Sequence, residues 1–306
     1  KAKKIFKDQP YKLELIEEIS EKTVSIYQSG DFIDLCQGPH VKSTKEIPLD
    51  SFKLIKIAGA YWRGSEKNPM LTRIYGVTFK TKKELDDFLY REEEAEKRDH
   101  RLLGQKLDLF SISEEVGTGL AIFHPKGAIL RNIIEDFWKK EHQKRGYQYL
   151  YSPHIGKLDL WKKSGHWEFY REYLYSPIDI ENVQYLLKPM NCPFHIQVYK
   201  SQIRSYKDLP IRYCELGMVY RYEKTGVLHG LLRVRGFTQD DAHIFCQPEK
   251  LFEEIKKVLD LAIFMLKTFG FKNYEIDLSV RDPKDKSKYL GDDKIWRKSE
   301  NALEYA

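Results

Sequence analysis

The run RYEKTGVLHGLLRVRGFTQDDAH, from Arg221 to His243, gathers arginine, glutamate, phenylalanine and histidine at spacings that suit a phosphate-bearing ligand. Arg221 and Glu223 flank Tyr222, so in an extended backbone both charged side chains point to one face. A loop is expected over 224–229. Beyond it Leu231, Arg233, Arg235 and Phe237 lie two apart in a second strand, and Gln239, Asp241 and His243 keep that phase. Guanidinium forks bind phosphate oxygens in bidentate geometry and offset charge that develops in a transition state. The alternative is a solvated charged hairpin, the usual fate of a charge run. Two further groups could do chemistry. Cys192 lies in KPMNCPFH, and with His243 it could ligate a metal, although a lone buried thiol and a satisfied core histidine are commoner. Cys36 and His40 in DLCQGPH stand four apart, a weak metal or nucleophile signal by itself.

The elements that must position these residues change character along the chain. Residues up to about Phe79 read as short strands and turns, with alternation in TVSIYQSGDFIDL and LTRIYGVTF. Thr81 and Glu84 form a capping box ahead of Leu85, Phe88, Leu89, Ala95, Leu102 and Leu103, which predicts one long, charged helix with a thin apolar stripe. A second helix opens near Gly127, carries Ile129, Leu130, Ile133, Ile134, Phe137 and Trp138 on one face, and ends at Gly146. Tyr147 to Pro153 reads as a strand. A third helix over 248–268 has Phe252, Ile255, Val258, Leu259, Ala262, Ile263 and Leu266 in its stripe and stops at Gly270. A strand from Tyr274 to Val280 and a charged loop from Asp282 to Asp293 follow. The 306 residues, 42% hydrophobic and 32% charged, suffice for two domains. A net charge of +6 is compatible with a nucleic-acid partner without requiring one. No apolar run matches a membrane span, and the lysine-rich start lacks the apolar core of a signal peptide, so a cytoplasmic location is expected. Four scattered cysteines read as thiols or ligands rather than a disulfide framework.

At RYE, RVRGFTQDDAHIF and KPMNCP the chain resembles the class II aminoacyl-tRNA synthetases, and within them the threonyl-tRNA synthetases. The resemblance implies an α+β fold: part of a small editing domain over 1–80, a linker helix over 81–104, and over 105–306 an antiparallel catalytic sheet flanked by helices. It implies ATP-dependent activation of L-threonine, with Mg²⁺, and transfer to the 3′ end of tRNA(Thr). Arg221 would take the α-phosphate and carboxylate, Glu223 the adenine amino group and Arg233 the outer phosphates. Phe237 would stack on adenine, and Met190 would line the substrate and ATP site. Cys192 and His243 match two ligands of a zinc ion that takes the amine and hydroxyl of threonine together. The third ligand of the resemblance, a histidine, has no counterpart here. Asp241 would accept the hydroxyl proton of threonine and Gln239 would face its amine. His166 in SGHW matches a histidine beside the terminal ribose, as proton acceptor or as a positioning group. Gly-Tyr before Pro153 looks like the class's first motif, which lies at a homodimer interface. Lys12, Asp34, Cys36 and His40 match part of a pocket that hydrolyses seryl-tRNA(Thr), and an incomplete half-site is expected. The third class motif and an anticodon-reading domain are not found in these residues. A seryl- or prolyl-type synthetase and a non-catalytic paralogue that binds tRNA remain the alternatives.

Overall fold

The computed structural model describes residues 1–21, 23–282, 284, 289 and 291–306, and it divides into two units, Lys1–Lys97 and Arg98–Ala306. Within the first unit the chain opens with two helices, α1 (Ala2–Ile5) and α2 (Pro10–Glu18), where only strands and turns were expected. Pro10 starts α2 because its fixed φ and missing N–H suit the first turn of a helix. The alternating segment forms short strands as read, and they pair as a hairpin, β1 (Ile26–Ser29) with β2 (Phe32–Leu35) around Gly30 at φ 59°. Its longer companion joins β3 (Phe52–Tyr61) to β4 (Met70–Thr78). Helix α3 (Lys82–Lys97) begins at the expected capping box. Thr81 Oγ1 accepts from the Glu84 N–H at 3.2 Å, and Glu84 Oε2 accepts from the Thr81 N–H at 3.2 Å.

The single helix expected over 81–104 is instead two. Asp99 breaks it, because its carboxylate caps a new helix, α4 (His100–Lys106), by accepting from the Arg101 N–H at 2.8 Å. In the second unit β5 (Phe110–Ile112) pairs with β6 (Ala121–Phe123), which feeds α5 (Pro125–Lys144). Gly127 lies in the first turn of α5 and allows the helix to approach the Leu109 carbonyl more closely than a Cβ would permit. The helix ends beside Gly146 at φ 78°, as the sequence indicates. Its buried side chains include Trp138, Glu141 and His142, whereas Ile129, Leu130, Ile133 and Ile134 are exposed.

The central sheet has the order β12 (Gly236–Phe245), β11 (Ile211–Tyr220), β7 (Gln148–Tyr149). The first pair is antiparallel, and the short β7 joins β11 in parallel. A second sheet has β10 (Val183–Leu187) between β8 (Ile155–Lys157) and β9 (Ile178–Ile180). Helices α6 (Leu158–Lys163) and α7 (His166–Phe169) precede β9, and α8 (Cys192–Lys200) follows β10. Trp138, Tyr147, Cys214 and Leu261 form one apolar cluster, and Leu158, Trp161, Leu174 and Leu186 form another. Helix α9 (Leu251–Thr268) packs through Leu261, Phe264 and Met265, and its buried Glu254 takes both arms of Arg212 at 2.5 and 2.6 Å. Tyr274 to Val280 forms no strand, because this segment finds no ladder partner among the described residues. Within the expected charged loop, 283, 285–288 and 290 lie outside the described residues. A last helix, α10 (Asp293–Glu304), is capped by Asp292. No described helix is long and apolar enough to cross a membrane.

Candidate functional site

Strand β12 does carry its chemistry on one face. Phe237, Gln239, Asp241 and His243 stand opposite Val219, Gly217, Glu215 and Tyr213 of β11, two apart on each strand. The expected strand before Phe237 is absent. Arg235 gives its N–H to the Gly119 carbonyl at 2.7 Å, and His229 to Arg233 fold into a turn of their own, so Leu231, Arg233 and Arg235 leave the sheet. Arg221 and Glu223 lie just past β11, tied on by the Arg221 N–H to the Arg235 carbonyl at 2.9 Å.

Arg221, Glu223 and Arg233 converge on one cavity of about 320 Å³, lined also by Tyr170, Tyr173, Leu174, Pro189 and Met190. Arg221 donates from Nε to the Pro189 carbonyl at 3.3 Å and lies over the Phe237 ring, 5.1 Å from its centre. Arg233 and Glu223, assigned to opposite ends of a nucleotide by the resemblance, are paired with each other at 3.0 Å. His166 is not among the lining residues. Its Nδ1 is 2.7 Å from Ser164 Oγ, and burial pushes its pKa down.

From Met190 the same KPMNC run steps directly to a second cluster. Cys192, Asp241 and His243 each offer a ligand atom within 4.8 Å of the others, the only such trio among the described residues. Burial raises the Cys192 thiol, with the Asp241 charge adding to the effect, and burial lowers the His243 imidazole. Asn191, fully buried, donates to Asp241 Oδ2 at 3.0 Å and fills space beside Gly217 that a Cβ would occupy. The buried Oδ1 of Asn191 and Oε1 of Gln239 have no partner. A thiol, an imidazole and a carboxylate beside two unmet amide oxygens fit a zinc ion and a donor-rich ligand such as an ammonium group.

Beneath this trio is a buried network that the sequence reading missed. His195 Nδ1 lies 2.9 Å from His243 Nδ1, and its Nε2 lies 3.1 Å from Glu215 Oε2. Glu215 also accepts from the Ser152 N–H at 2.6 Å and faces the fully buried Lys188 at 3.7 Å. Burial opposes ionisation of Glu215, yet the hydrogen bonds from His195 and Ser152 and the Lys188 charge prevail and hold its pKa at about 2. The signal was present in KPMNCPFH, where Lys188, Asn191 and His195 surround Cys192.

In the first unit Lys12 and Asp34 form an ion pair at 2.6 Å, and Lys12 lowers the Asp34 carboxyl. Cys36 follows β2 directly, exposed, with its backbone held by Ser25. His40 stacks on Tyr27 with ring centres 3.6 Å apart, and Tyr27 pairs with Asp34 across the hairpin. Lys12, Asp34 and His40 are therefore linked through the hairpin, and Cys36 stands at the end of its second strand.

Comparison with known proteins agrees with this geometry. Residues 173–304 match the tRNA synthetase class II core domain (G, H, P, S and T), and residues 24–75 match the threonyl and alanyl tRNA synthetase second additional domain. Fold and site together define a class II aminoacyl-tRNA synthetase core joined to an editing-type domain. A threonine–tRNA ligase of Dehalococcoides mccartyi is 58% identical over 99% of this chain, and one of Borreliella burgdorferi is 55% identical over 99%. The RNA-binding domain of threonyl-tRNA synthetase from Cryptosporidium parvum superposes with a TM-score of 0.62 at 41% identity, covering 68% of this chain and 50% of that one. The chain belongs to the threonyl-tRNA synthetase family. It spans about half the length of the relatives it matches, 51% and 52% for the two ligases.

Proposed function

We propose that the protein to which this chain belongs activates L-threonine with ATP and Mg²⁺ and transfers it to the 3′ end of tRNA(Thr), in the cytoplasm. The observation that carries this reading is the Cys192–Asp241–His243 trio, whose Cys192 stands two residues beyond Met190 of the arginine-lined cavity. Arg221 holds the α-phosphate and the threonine carboxylate, Glu223 the adenine amino group, and Phe237 offers a ring face to adenine. Arg233 leaves Glu223 for the outer phosphates when the nucleotide enters. Cys192 and His243 would hold zinc with a third histidine from outside these residues. When bound, the zinc would fix the amine and hydroxyl of threonine together, a pairing valine cannot offer. Asp241, held by Asn191, accepts the hydroxyl proton, and the unmet Gln239 Oε1 accepts from the amine. A site built to read a hydroxyl rejects an analogue that lacks it by roughly 10⁴ or more. His166 serves the terminal ribose. The exposed Ile129, Leu130, Ile133 and Ile134 face of α5 supports a homodimer through this helix.

Metal analysis of the full-length protein is expected to find one zinc per subunit, and Cys192→Ser to lower zinc content and threonine affinity together. Normal threonine activation after exhaustive chelation would overturn the zinc role.

Serine keeps both groups the zinc reads and lacks one methyl, worth about 1 to 3 kcal/mol, so a second hydrolytic sieve is needed. Lys12, Asp34, Cys36 and His40 supply part of it. Replacing Cys36 and His40 with alanine in the complete enzyme is expected to leave threonine activation unchanged while seryl-tRNA(Thr) accumulates. Clearance of seryl-tRNA(Thr) at the wild-type rate would reduce DLCQGPH to a structural turn.

A further inference from the structure

The turn that carries Arg233 is incomplete without a side chain from α4. Within it the His229 N–H reaches the Arg233 carbonyl at 3.0 Å, and the N–H groups of Leu232 and Arg233 reach the His229 carbonyl at 2.9 and 3.2 Å. The Leu231 N–H lies between these bonds and donates to His100 Nε2 at 2.9 Å. A backbone N–H can only donate, so this imidazole nitrogen is an acceptor and the ring's proton sits on Nδ1. The ring is fixed from several sides. Asp99 caps the helix at its base, and the Phe110 ring lies 18° from parallel at 6.3 Å. Phe110 in turn packs where a Cβ on Gly104 would collide with it. Gly230, at φ 50°, completes the fit, because a Cβ there would strike His100 Nε2.

We infer that His100 is a positioning residue for nucleotide binding: its Nε2 fixes the Leu231 amide, and thereby the turn that presents Arg233 to the cavity. This rests on the reading of Arg233 as a phosphate ligand. The distinction from a merely structural histidine lies in selectivity. Losing the acceptor loosens only the phosphate side of the site, since Cys192, Asp241 and His243 belong to α8 and β12 and make no bond to this turn.

The test is threonine-dependent ATP–pyrophosphate exchange with the full-length enzyme and three variants. His100→Phe keeps a flat ring without the acceptor, His100→Gln places an amide oxygen near the position of Nε2, and Gly230→Ala drives a methyl onto the imidazole. His100→Phe and Gly230→Ala are expected to raise KM for ATP about tenfold, the effect of leaving a backbone donor unpaired. KM for threonine and zinc content should stay at wild-type values, and His100→Gln should recover most of the loss in ATP affinity. If His100→Phe does not fold, the Gly230→Ala and His100→Gln pair decides. The inference is overturned if KM for ATP is unchanged in both damaging variants, if the threonine KM rises in step, or if glutamine is no better than phenylalanine. A wild-type enzyme without exchange activity would instead remove the parent reading.

Discussion

Arg221→Ala is expected to lower threonine-dependent ATP–pyrophosphate exchange by about 10² to 10³ in the complete enzyme, the cost of removing one preorganised donor from a developing charge. The geometry isolates this side chain from the fold. Among the described residues its guanidinium makes one hydrogen bond, to the Pro189 carbonyl at 3.3 Å, and it rests over Phe237, while the backbone bond to Arg235 survives the substitution. The unfolding midpoint should therefore hardly move. Arg221→Lys should fall between, because an ammonium keeps the charge and loses the bidentate fork. Exchange within tenfold of wild type for the alanine variant would remove Arg221 from the phosphate site.

What could be read from the sequence follows the reach of each interaction. The Thr81–Glu84 capping box, the short alternating strands on either side of Gly30 and the helix end before Gly146 are local, and each formed where the residues indicated. The one-face alternation of Phe237, Gln239, Asp241 and His243 also held, because β12 is paired along its whole length. Alternation failed just upstream. There the amides of Arg235 and Leu231 are taken by Gly119 and His100, partners distant in sequence that no periodicity reveals. The break at Asp99 was equally hidden. Aspartate within a charged run reads as a solvated helix residue until its carboxylate is seen to cap α4. The apolar stripe of α5 is divided in a way its spacing could not show, since Ile129 and Ile133 lie outward and the core takes Trp138 and His142. The layer under the metal trio was missed because lysine, glutamate and histidine are residue types that patterning sends to the surface.

That layer carries the largest stability effect expected of the second unit. Lys188 is fully buried and Glu215 is 2% exposed; Lys188 donates to Ser152 Oγ at 2.7 Å, and Glu215 draws in Ser152, His195 and the lysine. Glu215→Leu leaves a buried ammonium with one neutral acceptor, and breaking a buried pair in this way costs about 3 to 5 kcal/mol. Against a total of roughly 5 to 15 kcal/mol for a folded protein, that is a large fraction. The double variant Glu215→Leu with Lys188→Met should recover much of the loss, because an apolar pair of similar volume carries no desolvation penalty. The pH dependence has a definite sign. The carboxyl is held at about 2 against an ordinary 4.5, so its contribution is present above 4.5 and is lost as pH falls toward 2. Glu215→Gln should flatten the acid limb of the stability profile in that window. Urea unfolding at neutral pH and across the acid range measures all three variants. A single variant costing under about 1 kcal/mol, the range of an exposed pair, or a double variant no more stable than the single, would show that water already reaches this pair.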